Sequence, residues 1–139
     1  MSAFDREVLA EKTAAVQRHL ARVADRLPVD AAAFAPLTDA SDAVILHLWQ
    51  AVQIVIDLAI SACLHLNLGT PGTYADAFRR LADAGRLDPA LASRLERAAG
   101  FRNVIVHAYE RLDMTRVHRA AREGPEDLRA FLGVLSRMV

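Results

Sequence analysis

The chain of 139 residues holds one cysteine, six glycines and five prolines, and only 6% of it is aromatic. Each shortage excludes something. The lone Cys63 permits no disulfide framework within the chain, which fits a reducing cytoplasm, and its apolar neighbours mark it as a small buried hydrophobe. Scarce glycine and proline leave long stretches free to be helical, and abundant alanine, leucine and arginine favour that state. No segment alternates as a half-buried strand does, and there is no repeat or low-complexity tract. The formal net charge is zero, so no general attraction to nucleic acid follows. His47, His65, His107 and His118 lack the short paired spacings of zinc sites, so no metal is expected. No phosphate-cradling glycine loop follows a strand, so nucleotide binding of that kind is not expected, and serine and cysteine nucleophile motifs are also absent; no cofactor is expected. Charges are mixed into the N-terminus from Asp5 onward, unlike a signal peptide.

What is present is a chain suited to one helical domain spanning residues 1–139 and long enough to bury a core without staples. Its charge is unevenly spread. Residues 1–60 hold 5 basic and 8 acidic groups, and residues 61–139 hold 12 and 9, the basic ones all arginine. The C-terminal part is therefore mildly basic, a weak pointer to a phosphate ligand.

Helical spacing of Val8, Leu9, Val16, Leu20, Val23 and Leu27 predicts a first helix over 4–27, ended by Pro28. His19 sits beside this stripe, where a structural role is expected. Residues 28–41 form a connection with candidate caps at Thr38, Asp39 or Ser41. A long helix follows over 42–67. Val44, Leu48, Val52, Val55, Ala59 and Cys63 make one apolar stripe, and Leu46, Trp49, Ile54, Leu58 and Leu64 cover much of the rest. Such a helix must be buried on two sides. It is long enough for a membrane span, but His47, Gln50, Gln53, Asp57 and His65 are spread through it, and a mid-span aspartate is costly in lipid. A core on one side and a second subunit on the other fit better. Further on, Thr73 is a cap with Asp76 reaching back to it, Gly85 a stop, and Asp88-Pro89 a new start. Asp113 is a cap for the next helix, and Gly124-Pro125 is expected to break the pattern before a last helix carrying Leu128, Phe131, Leu132 and Leu135. The fold class is all-α: an antiparallel bundle of five or six helices around residues 42–67.

The segment Phe101-Arg102-Asn103-Val104-Ile105-Val106-His107-Ala108-Tyr109 gathers four polar groups within eight residues. On a helix with Arg102 at zero, Tyr109 lies about 20° away, Asn103 about 100° and His107 about 140°. Phe101, Val104, Ile105 and Ala108 fall opposite. Val106 intrudes on the polar arc, which implies that another surface covers it. Histidine moves protons in either direction near neutral pH, and arginine forks onto phosphate. Together they suit RNA cleavage without metal. On spacing alone, a surface arginine and a capping histidine explain the same pattern. Asp57, the one formal charge between residues 43 and 68, has two readings as well. It is a structural or solvent-facing carboxylate, or it receives Arg102 or orients His107.

R-N-V-I-V-H-A-Y, with Gly-Phe before it, resembles the Arg-x4-His-x-Tyr motif of the HepT-like branch of the HEPN ribonucleases. The resemblance covers most of the chain, from the helix near 43–66 to the C-terminal helices. It implies a dimeric HEPN-like bundle and a cytoplasmic, metal-independent endoribonuclease, the toxin of a type VII HEPN/MNT toxin–antitoxin system. Cleavage of RNA would fall to Arg102 and His107, with Asn103 and Asp57 in support. A partner MNT-type nucleotidyltransferase antitoxin would silence it by adenylylating Tyr109. The alternatives are a HEPN domain that binds nucleotide or a nucleotidyltransferase without cleaving, and a purely structural dimeric bundle. Homodimerisation also follows from the chemistry, since two proton-transfer groups are wanted and each chain offers one His107 in the motif.

Overall fold

A computed structural model describes residues 5–139. Five α-helices follow one another: α1 (Arg6–Arg26), α2 (Asp39–His65), α3 (Tyr74–Asp83), α4 (Pro89–Ala108) and α5 (Met114–Ser136). Two 3-10 turns, Ala31–Ala33 and Tyr109–Arg111, lie in the connections. There is no strand among the described residues. Phe4, expected to open the first helix, lies outside them.

Helix starts are set by local chemistry. Asp5 accepts from the Glu7 N–H at 2.7 Å, Asp88 from the Leu91 N–H at 3.0 Å and Asp113 from the Thr115 N–H at 3.0 Å. Thr38 and Ser41 form a reciprocal capping box at the head of α2, which therefore starts three residues before the expected Asp42. Each such cap contributes ~1 kcal/mol by satisfying an otherwise orphaned N–H. Thr73 accepts from the Asp76 N–H at 3.0 Å. The Asp76 carboxylate, expected to return to Thr73, instead accepts from the Gly72 N–H and from Arg80. Gly85 stops α3 at φ +73°, a left-handed conformation that glycine adopts without a Cβ penalty.

The expected break at Gly124-Pro125 does not occur. Helix α5 runs through Pro125, although proline removes one backbone donor and crowds the preceding turn. Packing on both sides of it outweighs that local cost. Val117 and Ala121 are buried before the proline, and Leu128, Phe131, Leu132 and Leu135 after it. The Phe131 ring meets Phe78 of α3 edge-on, with centroids 5.4 Å apart.

Helix α2 is the centre of the bundle and packs against all four other α-helices. Helices α3 and α4 pair on one side of it, and α1 and α5 also meet. By length and composition α2 could cross a membrane. Here Val44, Ile45, Leu48, Val52, Val55 and Ile56 are instead buried in the protein core. The bundle does not cover it completely, since Leu46 remains 46% and Leu64 53% exposed. Polar contacts pin the remaining elements. Buried His118 on α5 donates from Nε2 to the Pro28 carbonyl at 2.7 Å and lies edge-on to Phe34. His19 of α1 and His47 of α2 place their Nδ1 atoms 3.0 Å apart, which requires one of the two to be unprotonated there.

Burial, followed for His19 by the neighbouring His47, holds both imidazoles below their ordinary value of 6.5, and nearby Arg18 and Arg22 act in the same sense. The unfolded chain therefore binds more protons just below pH 6.5. The stability from this contact is complete above that value and declines as pH falls through the lowered folded values. Urea unfolding between pH 8 and 5 should show the wild type losing stability on acidification, and His47→Gln should lose less over the same range.

Candidate active site

Arg102, Asn103 and His107 lie in the last two turns of α4, Tyr109 follows directly after it, and α2 runs antiparallel beside them. Arg102 lies opposite Gln53, and Tyr109 opposite Asp42. The Arg102 Nε donates to the Gln53 Oε1 at 2.7 Å. Its Nη1 donates to the Asn103 Oδ1 at 3.1 Å. The guanidinium also lies over the Tyr74 ring of α3, 5.1 Å from the centroid, in cation–π contact. Gln53 in turn donates from Nε2 to Asp57 at 3.0 Å, one helical turn along. Arg102 is thus half-buried and held from three directions.

Asp57 does not contact Arg102 or His107. It is exposed, and Gln53 stands between it and Arg102. The reason is reach: the Gln53 amide offers an acceptor to the arginine and a donor to the carboxylate, and so links them. Asn103 is exposed and contacts Arg102 through its amide oxygen. His107 is exposed at the penultimate position of α4, with no hydrogen bond to Arg102 or Asp57.

Tyr109 departs from the ideal helical stripe. Helix α4 ends at Ala108, whose φ of −138° breaks the helical geometry, and Tyr109 opens the 3-10 turn that follows. Its hydroxyl donates to an Asp42 carboxylate oxygen in the first turn of α2. That hydrogen bond, with burial and the carboxylate charge, raises the phenol above its ordinary value of 10.0.

Between these two cross-links lies an apolar groove lined by Ile45, Leu46, Trp49, Ile105, Val106 and Tyr109, with a volume of about 390 Å³. Val106 is 44% and Tyr109 38% exposed. The Trp49 indole N–H is buried without an acceptor among the described residues. Among the described residues, no three histidine, cysteine or carboxylate side chains are grouped to hold a metal ion.

The model of the family described as ribonuclease HepT-like matches residues 16–135. The chain belongs to that family. An mRNA nuclease HepT from Shewanella oneidensis is 27% identical over 129 residues, covering 93% of this chain and 96% of that protein. A solved structure of a tri-AMPylated HEPN toxin from the same organism, in complex with an MNT antitoxin, superposes with a TM-score of 0.83 at 27% identity over 93% of this chain and 96% of that one. A toxin–antitoxin structure with AMP-PNP gives 0.85 at 26% identity, covering 94% and 98%. YutE, a cytosolic protein of unknown function from Bacillus subtilis, shares the fold with a TM-score of 0.81 at 16% identity, over 99% and 92%.

Gln53, Tyr74 and Asp42 touch the candidate residues Arg102 and Tyr109, and sequence reasoning missed all three contacts. A polar pair four residues apart on an apolar helix, Gln53 and Asp57, was the available signal. Tyr74 reads as part of an apolar face, and nothing local connects Asp42 with Tyr109. If Asp42 holds the phenol proton, Asp42→Ala should bring the Tyr109 titration down toward 10, followed by ultraviolet absorbance of the phenolate with Tyr74→Phe as background. An unchanged titration would show that Asp42 does not set it.

Proposed function

We propose that this HepT-like ribonuclease is a metal-independent endoribonuclease acting as a homodimer, the toxin of a type VII HEPN/MNT toxin–antitoxin pair. Its work is cytoplasmic, where RNA is its substrate. The carrying observation is the held arginine: Nε on Gln53, Nη1 on Asn103 and the guanidinium plane on Tyr74, five residues from an exposed histidine.

In the proposed reaction the 2′-oxygen of a ribose attacks the adjacent phosphorus, a P–O bond to the 5′-oxygen breaks, and a 2′,3′-cyclic phosphate forms. One imidazole takes the 2′-hydroxyl proton and another group protonates the leaving 5′-oxygen. His107 supplies the first role, and His107 of a second copy supplies the other across a two-fold axis. Arg102 offers Nη2 to a phosphate oxygen and stabilises the charge that builds in the transition state. Gln53 and Asp57 are positioning residues, since they act through Arg102; Asn103 supports the same guanidinium. The groove supports a homodimer: Leu46 and Val106 lie side by side and exposed, and the Trp49 N–H awaits an acceptor.

Tyr109 is the proposed acceptor for AMP from an MNT-type nucleotidyltransferase antitoxin. Its side chain lines the apolar groove between α2 and α4. Adding AMP forms a phenol–phosphorus bond, expels pyrophosphate from ATP and transfers the phenol proton to solvent or Asp42. The new phosphate brings negative charge to the Tyr109 end of the motif, where it repels the RNA backbone, and the attached adenosine obstructs the approach.

His107→Ala should lower RNA cleavage in EDTA by about 10²-fold or more while leaving helical content intact. Arg102→Lys should also be impaired, because lysine keeps the charge and loses the fork. Gln53→Ala should lower kcat more than it raises KM, and Gln53→Glu, which keeps an acceptor, should recover part of the loss. Full activity of a folded His107→Ala protein would remove His107 from the mechanism and leave the non-catalytic binding domain. Sedimentation of the wild type should give a dimer at micromolar concentration, and Leu46→Glu should weaken it. Tyr109→Phe should cleave RNA yet escape silencing by the antitoxin with ATP. Mass spectrometry of the wild-type Tyr109 peptide should show added AMP; suppression without that adduct would mean inhibition by binding alone.

A further inference from the structure

The hydroxyl of Tyr109 is not left to solvent alone. Helix α4 ends at Ala108, and the 3-10 turn that follows carries the phenol to the head of α2. There the hydroxyl donates to a carboxylate oxygen of Asp42. The backbone beneath that carboxylate is fixed. Thr38 and Ser41 form their reciprocal capping box just before it, and the Asp42 N–H donates to the Thr38 carbonyl at 2.9 Å. Asp42 is exposed and Tyr109 is partly so, which lets a reagent reach the contact from outside without opening the bundle. A second carboxylate, Glu110, lines the small cavity beside the contact. Glu110 makes no hydrogen bond to the phenol among the described residues, whose hydroxyl is given to Asp42.

We propose that Asp42 is the general base for adenylylation of Tyr109, so that this chain itself carries the group that activates its own modification site. The proposal rests on the reading of Tyr109 as the AMP acceptor, and it decides between Asp42 and solvent as the destination of the phenol proton. A general base must lie within hydrogen-bond reach of the proton it takes, and Asp42 already holds that proton's hydrogen bond. The same contact raises the phenol above 10.0. At neutral pH the hydroxyl therefore keeps its proton, which has to leave as the bond to phosphorus forms. With its hydrogen on Asp42, the phenol oxygen turns its lone pairs away from the carboxylate, toward an incoming α-phosphorus of ATP. The oxygen–phosphorus bond forms and the bond from the α-phosphorus to pyrophosphate breaks. The proton passes to Asp42 and from there to solvent. Protein kinases use an aspartate in the same way to accept the proton of a substrate hydroxyl.

The rate of AMP addition to the Tyr109 peptide tests this, followed by mass spectrometry of the full chain with saturating MNT-type antitoxin, ATP and magnesium. Asp42→Asn keeps an oxygen that accepts the hydroxyl hydrogen bond but cannot take the proton. It should slow adenylylation at neutral pH by about 10²-fold, the lower range for loss of a general base. The residual rate should climb with pH as phenolate takes over, so that the gap to the wild type narrows in alkali. Glu110→Gln removes the neighbouring charge and should slow the reaction less than twofold. A fluorinated tyrosine in place of Tyr109, whose more acidic phenol ionises near neutral pH, needs no base and should restore most of the rate in the Asp42→Asn background. That rescue also shows that the variant is folded and still engages the antitoxin. Equal rates for wild type and Asp42→Asn overturn the proposal and leave Tyr109 as the AMP acceptor. A slow Asp42→Asn that the fluorinated tyrosine does not rescue also overturns it, by reducing Asp42 to a structural contact. Absence of AMP from wild-type Tyr109 overturns the acceptor reading and this proposal together.

Discussion

The bundle depends on burying α2. A helix apolar on nearly every side cannot be satisfied by a single neighbouring stripe, because its surface faces all directions around the axis. Helices α1, α3, α4 and α5 each cover part of it. The cover remains incomplete at Leu46 and Leu64, and the Trp49 indole N–H has no partner among the described residues. The demand that gathers one chain into a bundle therefore continues at its surface, next to the motif.

The polar residues of α2 are exceptions to its composition, and they are where other helices are tied to it. His47 meets His19, Gln53 meets Arg102, and Asp42 meets Tyr109. A polar group brought out of water needs a partner, so each contact helps set the register of the packing. The tie to α4 at Arg102 and the tie to the following 3-10 turn at Tyr109 lie far apart along α2. Sliding α4 by one turn along α2 would move Arg102 away from Gln53 and Tyr109 away from Asp42. Arginine geometry and groove shape are thus consequences of one helix pairing. Tyr74 makes α3 part of the same arrangement by giving the guanidinium an aromatic face.

Features governed by nearby residues were legible in the sequence. The caps at Asp88 and Asp113, the stop at Gly85, the long α2 and the polar cluster at 102–109 depend on contacts within a few residues. Pro125 was misread because its cost is local and its compensation is not: Phe131 packs on Phe78, far along the chain. Tyr109 was placed on an ideal stripe two turns from Arg102, whereas α4 ends before it and the phenol is drawn to Asp42. Asp57 was assigned a possible direct link to Arg102, but the intervening Gln53 could not be inferred without the orientation of both helices.

By itself, the sequence determined the helical class, the helix that had to be buried and the presence of an arginine and a histidine on one segment. These follow from composition and from the 3.6-residue period, which act along the chain. Tertiary structure alone decided what holds the arginine and where the tyrosine hydroxyl goes. Such contacts join residues on separate helices, and their geometry depends on the rotation and register at which those helices pack.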